Sequence, residues 1–161
     1  MKRNMIFLLA IAWAMSSCQE QAIDPGNSEK GVTIKSVRDD KSFVSALFDM
    51  QKGQKSDLYA LKSVTIDDDE LKMYITVQYG GGCEKHEFNM IWPEVITMIY
   101  PPNFSVILNH DANGDLCEAY LTEILEIDMK DNALGFDDQS IKDMTVTVIN
   151  GSNPDEKVQS N

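Results

Sequence analysis

An all-β fold is what the sequence predicts: an antiparallel β-sandwich of about seven short strands, with a small closed barrel as the alternative. Three observations carry this. Leu71, Met73, Ile75, Val77 and Tyr79 alternate with Lys72, Tyr74, Thr76 and Gln78, the period of a strand with one buried face. Short apolar segments recur along the body and are separated by Gly, Pro, Asn and Asp clusters. No long helical pattern competes with them.

In chain order, Val32, Ile34 and Val37 suggest a first strand. Phe43, Leu47 and Met50 fit a helix over 43–50, although that stretch also reads as a strand. Leu58 to Ile66 is the next strand, Asp67-Asp68-Asp69 turns the chain, and Leu71 to Tyr79 follows. Phe88 to Trp92 and Val95 to Tyr100 are two more, separated by Pro93. Phe104 to His110, Leu116 to Asp128 and Met144 to Ile149 complete the body, placed at 31–150. Residues 151–161 open Gly-Ser-Asn-Pro, hold almost nothing apolar, and read as a disordered tail. Trp92 and Tyr100 suit a sugar- or peptide-binding face, but single aromatics more often pack in a core.

The N-terminus reads as an address. Lys2 and Arg3 precede an apolar run from Met5 to Met15, and Ser16-Ser17-Cys18 follows. A positive start, a short apolar middle and small residues before a cut are the layout of an export signal over 1–17. The run falls short of the ~20 residues that span a bilayer. Met15-Ser16-Ser17-Cys18 resembles the bacterial lipobox, with Met where Leu is usual; the resemblance implies a lipidated Cys18. Several acyl chains on one residue anchor firmly, at about 0.8 kcal/mol per buried CH₂. Residues 18–30, with Pro25-Gly26-Asn27-Ser28 in the middle, then read as a flexible tether. The expected location is the cell envelope, at the outer membrane, since Gln19-Glu20-Gln21 lacks the Asp of inner-membrane retention signals.

Removing residues 1–17 leaves 144 residues, enough for one domain with a core. It also leaves 12 basic against 26 acidic residues, a net charge of −14. That balance excludes nucleic acid as a partner, because Lys and Arg on phosphates supply that affinity. The expected partners are the membrane, through the lipid, and an unidentified protein or small molecule. No phosphate-cradling loop, serine triad or glycosidase-like carboxylate pair stands out.

Chemistry concentrates in two segments. Asn113-Gly114 between apolar runs is a strong hairpin signal. If those two residues form the turn, Leu108 faces Ala119, Val106 faces Leu121, and His110 faces Cys117 with Cβ atoms about 5 Å apart. The second segment is Gly80-Gly81-Gly82-Cys83-Glu84-Lys85-His86, where three glycines imply positive φ or close backbone approach.

Gly81-Gly82-Cys83-Glu84-Lys85-His86-Glu87-Phe88, followed by His110-Asp111-Ala112-Asn113-Gly114-Asp115-Leu116-Cys117-Glu118, resembles a group of small bacterial lipoproteins and secreted domains that share GGCxxHxF and then HDxxGDxCE. With flanking strands the resemblance covers about residues 57–130. It implies a β-rich exported domain in which the two Cys and two His belong together; the group carries no assigned activity.

Four readings of these residues stay open. With Cys18 lipidated, Cys83 and Cys117 form an even pair, and an oxidising compartment favours a disulfide. It would close a loop of about 35 residues and contribute about 4 kcal/mol. Cys83, His86, His110 and Cys117 are also a tetrahedral zinc set, with copper as the softer choice. A Cys thiolate activated by either histidine would make a thiol-dependent enzyme, but an acidic chain is a poor setting for one. Asp111, Asn113, Asp115 and Glu118 are calcium-type ligands, but Gly114 falls out of step with an EF-hand and the turn explains the same residues. The expectation is a non-enzymatic envelope domain with no cofactor and no catalytic residue, and a metal-binding envelope protein is the runner-up.

Overall fold

The computed structural model describes residues 32–53, 56–94, 101–131 and 134–160. The expected signal, Cys18 and the tether lie outside the described residues, as does the strand expected over Val95 to Tyr100. Eight strands form two sheets. The larger has the order β1-β4-β5-β7-β8: β1 Thr33–Arg38, β4 Glu87–Trp92, β5 Asn103–Asp111, β7 Thr145–Asn150 and β8 Lys157–Gln159. The smaller has the order β2-β3-β6: β2 Tyr59–Asp67, β3 Lys72–Gly81 and β6 Ala119–Asp128. The all-β sandwich is present, and the barrel is not closed.

The alternation in β3 behaves as expected. Met73, Ile75, Val77 and Tyr79 are buried against Phe88, Met90, Val106, Leu108, Val146 and Val148 of the opposite sheet. The smaller sheet is antiparallel throughout. The larger is mixed: β1 pairs β4 and β5 pairs β7 in parallel, while β4–β5 and β7–β8 are antiparallel. Hydrophobic alternation fixes which face is buried but is blind to strand direction.

The ambiguous stretch is α1, Asp40–Gln51. Asp39 caps it by accepting from the Ser42 N–H at 2.7 Å. Ala46 and Met50, with Phe43 and Leu47, pack on Ile91 and Ile107 on the outer face of the larger sheet. The helix therefore adds a third layer. A six-residue helix, α2 (Asp138–Asp143), buries Ile141.

Two expectations need correction. β5 and β6 are not a hairpin. Asn113 and Gly114 do adopt positive φ, 55° and 71°, in a tight turn closed by the Asp115 N–H on the Ala112 carbonyl at 3.0 Å. But β4 and β7 occupy both edges of β5, so the chain crosses to the other sheet and β6 pairs β3. Across its ladder His110 faces Phe88, not Cys117.

The second correction concerns residues 151–161, which are folded as far as residue 160. Val158 pairs Val148, and the Ser160 hydroxyl accepts the Val146 N–H at 3.0 Å. Glu156 crosses to the other sheet and accepts the Leu61 N–H at 3.0 Å, where a bulge between Leu61 and Ser63 shifts the β2 register. Polar composition concealed this, because polar and backbone bonds hold the segment.

β6 is the outer strand of the smaller sheet, and Glu123 falls among its inward-facing positions, between Leu121 and Leu125.

Candidate functional site: a bridge, two histidines and a buried carboxylate

Both motif segments meet at one end of the sandwich. Gly81 pairs Ala119 at the end of the β3–β6 ladder, and Cys83 and Cys117 lie two residues further along each chain in the same register. They form a disulfide with Cα atoms 5.9 Å apart. Cys83 is exposed and Cys117 half-buried. Behind the bridge lie His86, at the entry to β4, and His110, near the end of β5, each 2% exposed.

Cys83 pairs with Cys117 and His86 with His110, and Asp115 links the two pairs; the four do not share one metal-type centre. The histidines are engaged with each other and with a fifth residue. His86 Nδ1 and His110 Nε2 are 2.8 Å apart, and His86 Nε2 is 3.1 Å from Asp115 Oδ2. Around them the rings of Tyr79, Phe88 and Tyr59 close the core: Tyr79 lies 4.5 Å from His86 and Phe88 stacks on His110 at 4.5 Å. Both sulfurs are spent on the bridge, which leaves neither as a free nucleophile.

Asp115 organises the cluster. Its side chain is fully shielded from solvent. Oδ2 accepts the N–H groups of Gly82, Cys83 and Glu84 at 2.8, 2.8 and 2.9 Å, and Oδ1 accepts that of Cys117 at 2.9 Å. Successive amides turned to one point make an anion-binding concavity, and here the chain fills it with its own carboxylate. The Glu84 and Cys117 amides, then those of Cys83 and the His86 ring, hold the Asp115 carboxyl well below the usual range.

The glycine run makes this approach feasible. Gly82 has φ +117°, where L side chains are strained, and Gly81 has φ +152°. A Cβ on Gly81 would collide with His86 Nε2, and would lie 2.6 Å from its Cε1 and 2.9 Å from Asp115 Oδ2.

For neutral rings the hydrogen bonds dictate the tautomers. An ionised Asp115 only accepts, so His86 Nε2 carries the proton and its Nδ1 is bare. That nitrogen accepts from His110 Nε2–H, which leaves His110 Nδ1 bare as well. His110 Nδ1 is buried with no hydrogen-bond partner. Burial, then the neighbouring His86, pushes the His110 pKa down, while the Asp57 backbone beside it acts in the opposite sense. Burial, with Glu123 and Asp115 adding to it, pushes the Tyr79 hydroxyl up to about 12.

The other residues weighed from sequence fall elsewhere. Asp111 caps its own turn by accepting the Asn113 N–H at 2.8 Å, and the Asn113 amide donates to the Lys85 carbonyl at 2.9 Å. Glu118 is exposed. Asp111, Asn113, Asp115 and Glu118 thus share no centre, and the turn itself accounts for the first two. Trp92 is fully buried and belongs to the core. The sequence reading missed the part Asp115 plays. The available signal was an Asp two residues before a Cys, opposite a glycine-rich segment able to turn its amides inward.

A pH dependence follows. The Asp115 pKa is lowered on folding, so its contribution is present above the unfolded value near 4 and is lost as pH falls through the folded value. Asp115→Asn is expected to flatten the acid limb of a thermal-stability profile below about pH 4. An acid limb identical to wild type would refute this role.

No family model matches the sequence, and no curated protein matches it. Among solved structures, a Bacteroides vulgatus protein of unknown function aligns over 80% of this chain and 54% of its own, at 14% identity and a TM-score of 0.45. A NigD-like immunity protein from Bacteroides caccae aligns over 74% of this chain and 52% of its own, at 16% identity and a TM-score of 0.43. The chain spans about half the length of each, and neither likeness carries an argument about what it does.

Proposed function

We propose that the protein is a non-enzymatic, lipid-anchored domain of the cell envelope, held at the membrane through Cys18 and working by binding a partner. The observation that carries this reading is the Cys83–Cys117 bridge, which belongs to an oxidising compartment and so agrees with an export signal over 1–17. The titratable groups beside the bridge support it. His86, His110 and the Asp115 carboxylate are sealed inside, bonded to one another and to backbone amides, which suits a clamp better than a catalytic centre. Among the described residues no helix is long and apolar enough to cross a membrane.

The test is expression in a bacterial host that processes lipoproteins. The wild type is expected in the detergent phase, with its mass raised by acylation and its signal removed. Cys18→Ala is expected to leave an unlipidated protein in the aqueous phase. A variant that still fractionates with membranes as wild type does would place the anchor elsewhere and sink the reading.

A further inference from the structure

The geometry points to a zinc-type metal site in the reduced chain, built from Cys83 Sγ, Cys117 Sγ, the Asp115 carboxylate and His86 Nε2, with His110 orienting His86 rather than binding the ion. This goes beyond the proposed function and does not depend on lipidation.

Three of the four ligand atoms are already assembled. Among the described residues, Cys83, Asp115 and Cys117 form a metal-capable group whose donor atoms lie within 4.8 Å of one another. His86 Nε2, 3.1 Å from Asp115 Oδ2, lies next to this group but outside its spacing, and serves as the fourth donor once its ring swings toward the sulfurs. Two thiolates, one imidazole and one carboxylate are ligands that zinc accepts. Opening the bridge exchanges one S–S bond for two sulfurs that need move only to roughly 3.7 Å apart to share a tetrahedral ion.

His110 is excluded as a ligand by its position. Its Nε2 is bonded to His86 Nδ1, its Nδ1 is buried with no hydrogen-bond partner, and the ring is not part of the metal-capable group. His110 is thus placed to orient His86 through its other ring nitrogen. A ligating histidine bonds its other ring nitrogen to a neighbour that fixes its tautomer. For His86 Nε2 to bind the ion, the proton must sit on Nδ1 and be donated to His110 Nε2. The His110 proton then moves to Nδ1, beside the Asp57 backbone. Both rings exchange tautomers, no net charge is created, and the bare buried nitrogen of the oxidised chain is protonated.

The redox step balances. A dithiol reductant attacks the exposed Cys83 sulfur, the S–S bond breaks, and Cys117 leaves as a thiol. The second thiol of the reductant then releases Cys83. The reductant becomes a disulfide, and two electrons and two protons pass to the cysteine pair. The ion displaces those two protons on binding.

The test uses the full chain carrying Cys18→Ala, so that the third thiol cannot contribute. It is reduced with a phosphine, and zinc binding is followed by competition with a chromophoric chelator. One zinc per reduced chain is expected, with two protons released into weak buffer, and none for the oxidised chain. Cobalt in place of zinc should give a tetrahedral thiolate spectrum. Cys117→Ser and His86→Gln should each abolish that spectrum. His110→Phe should keep one metal per chain and the same spectrum while weakening affinity by about 10–100-fold. Circular dichroism accompanies each sample; a reduced chain that unfolds and is not refolded by zinc overturns the proposal. So does equal binding by oxidised and reduced chains, full binding by Cys117→Ser, or loss of stoichiometric binding in a folded His110→Phe.

Discussion

Replacing Cys83 and Cys117 together by serine is expected to lower the unfolding free energy by about 4 kcal/mol, since the bridge closes a 34-residue separation. For a domain of this size the midpoint should fall by roughly 10–20 °C in a thermal melt. The double variant isolates the cross-link. The four amides that hold Asp115 are backbone groups and survive the substitution. A fall of less than about 3 °C would mean that Asp115, and not the bridge, fastens this end of the β3–β6 pair, since that is under 1 kcal/mol on the same scale.

Gly81→Ala should rival it. The added methyl would occupy the space of the His86 ring edge and approach Asp115 Oδ2 to 2.9 Å, in a backbone conformation that L residues rarely adopt. Strain at such positions costs about 1–3 kcal/mol, and overpacking a filled core costs a similar amount. A loss of about 2–5 kcal/mol is therefore expected by chemical denaturation. Gly80→Ala is the control: a Cβ there meets nothing within 4 Å, and its φ is not positive. Equal losses at the two positions would refute the claim that close approach and positive φ together make Gly81 irreplaceable.

The contrast between these glycines marks what a sequence can carry. Three glycines in a row announced an unusual backbone and a close approach, but not which glycine is approached, or by what. The same division runs through the fold. Alternation placed Met73 to Tyr79 on one buried face, because that pattern is local. The Asn113-Gly114 turn was also local, and its positive φ values are present. Which strand follows the turn into which sheet was not local. It depends on β5 being central, bonded on both edges and covered by α1 at Ile107. The run Val106-Ile107-Leu108 held that hint, since a strand buried on both faces loses its alternation. The four Cys and His were legible as a group because a shared motif pair joins them. Asp115 was obscured by its company, as Asp and Asn in a turn are ordinarily explained by the turn itself.

The outer strand of the smaller sheet has a consequence for copies of the chain that meet one another. An unpaired strand edge is a template on which an identical strand can dock. β6 runs for ten residues at such an edge and also exposes Tyr120 and Ile124, so self-recognition has both backbone and apolar surface to draw on. Glu123 opposes it. A neighbour zipped along this strand would enclose the half-buried, inward-facing carboxylate between two sheets, away from solvent. One glutamate on the inner face of an outer strand is thus expected to disfavour edge-to-edge pairing between identical chains.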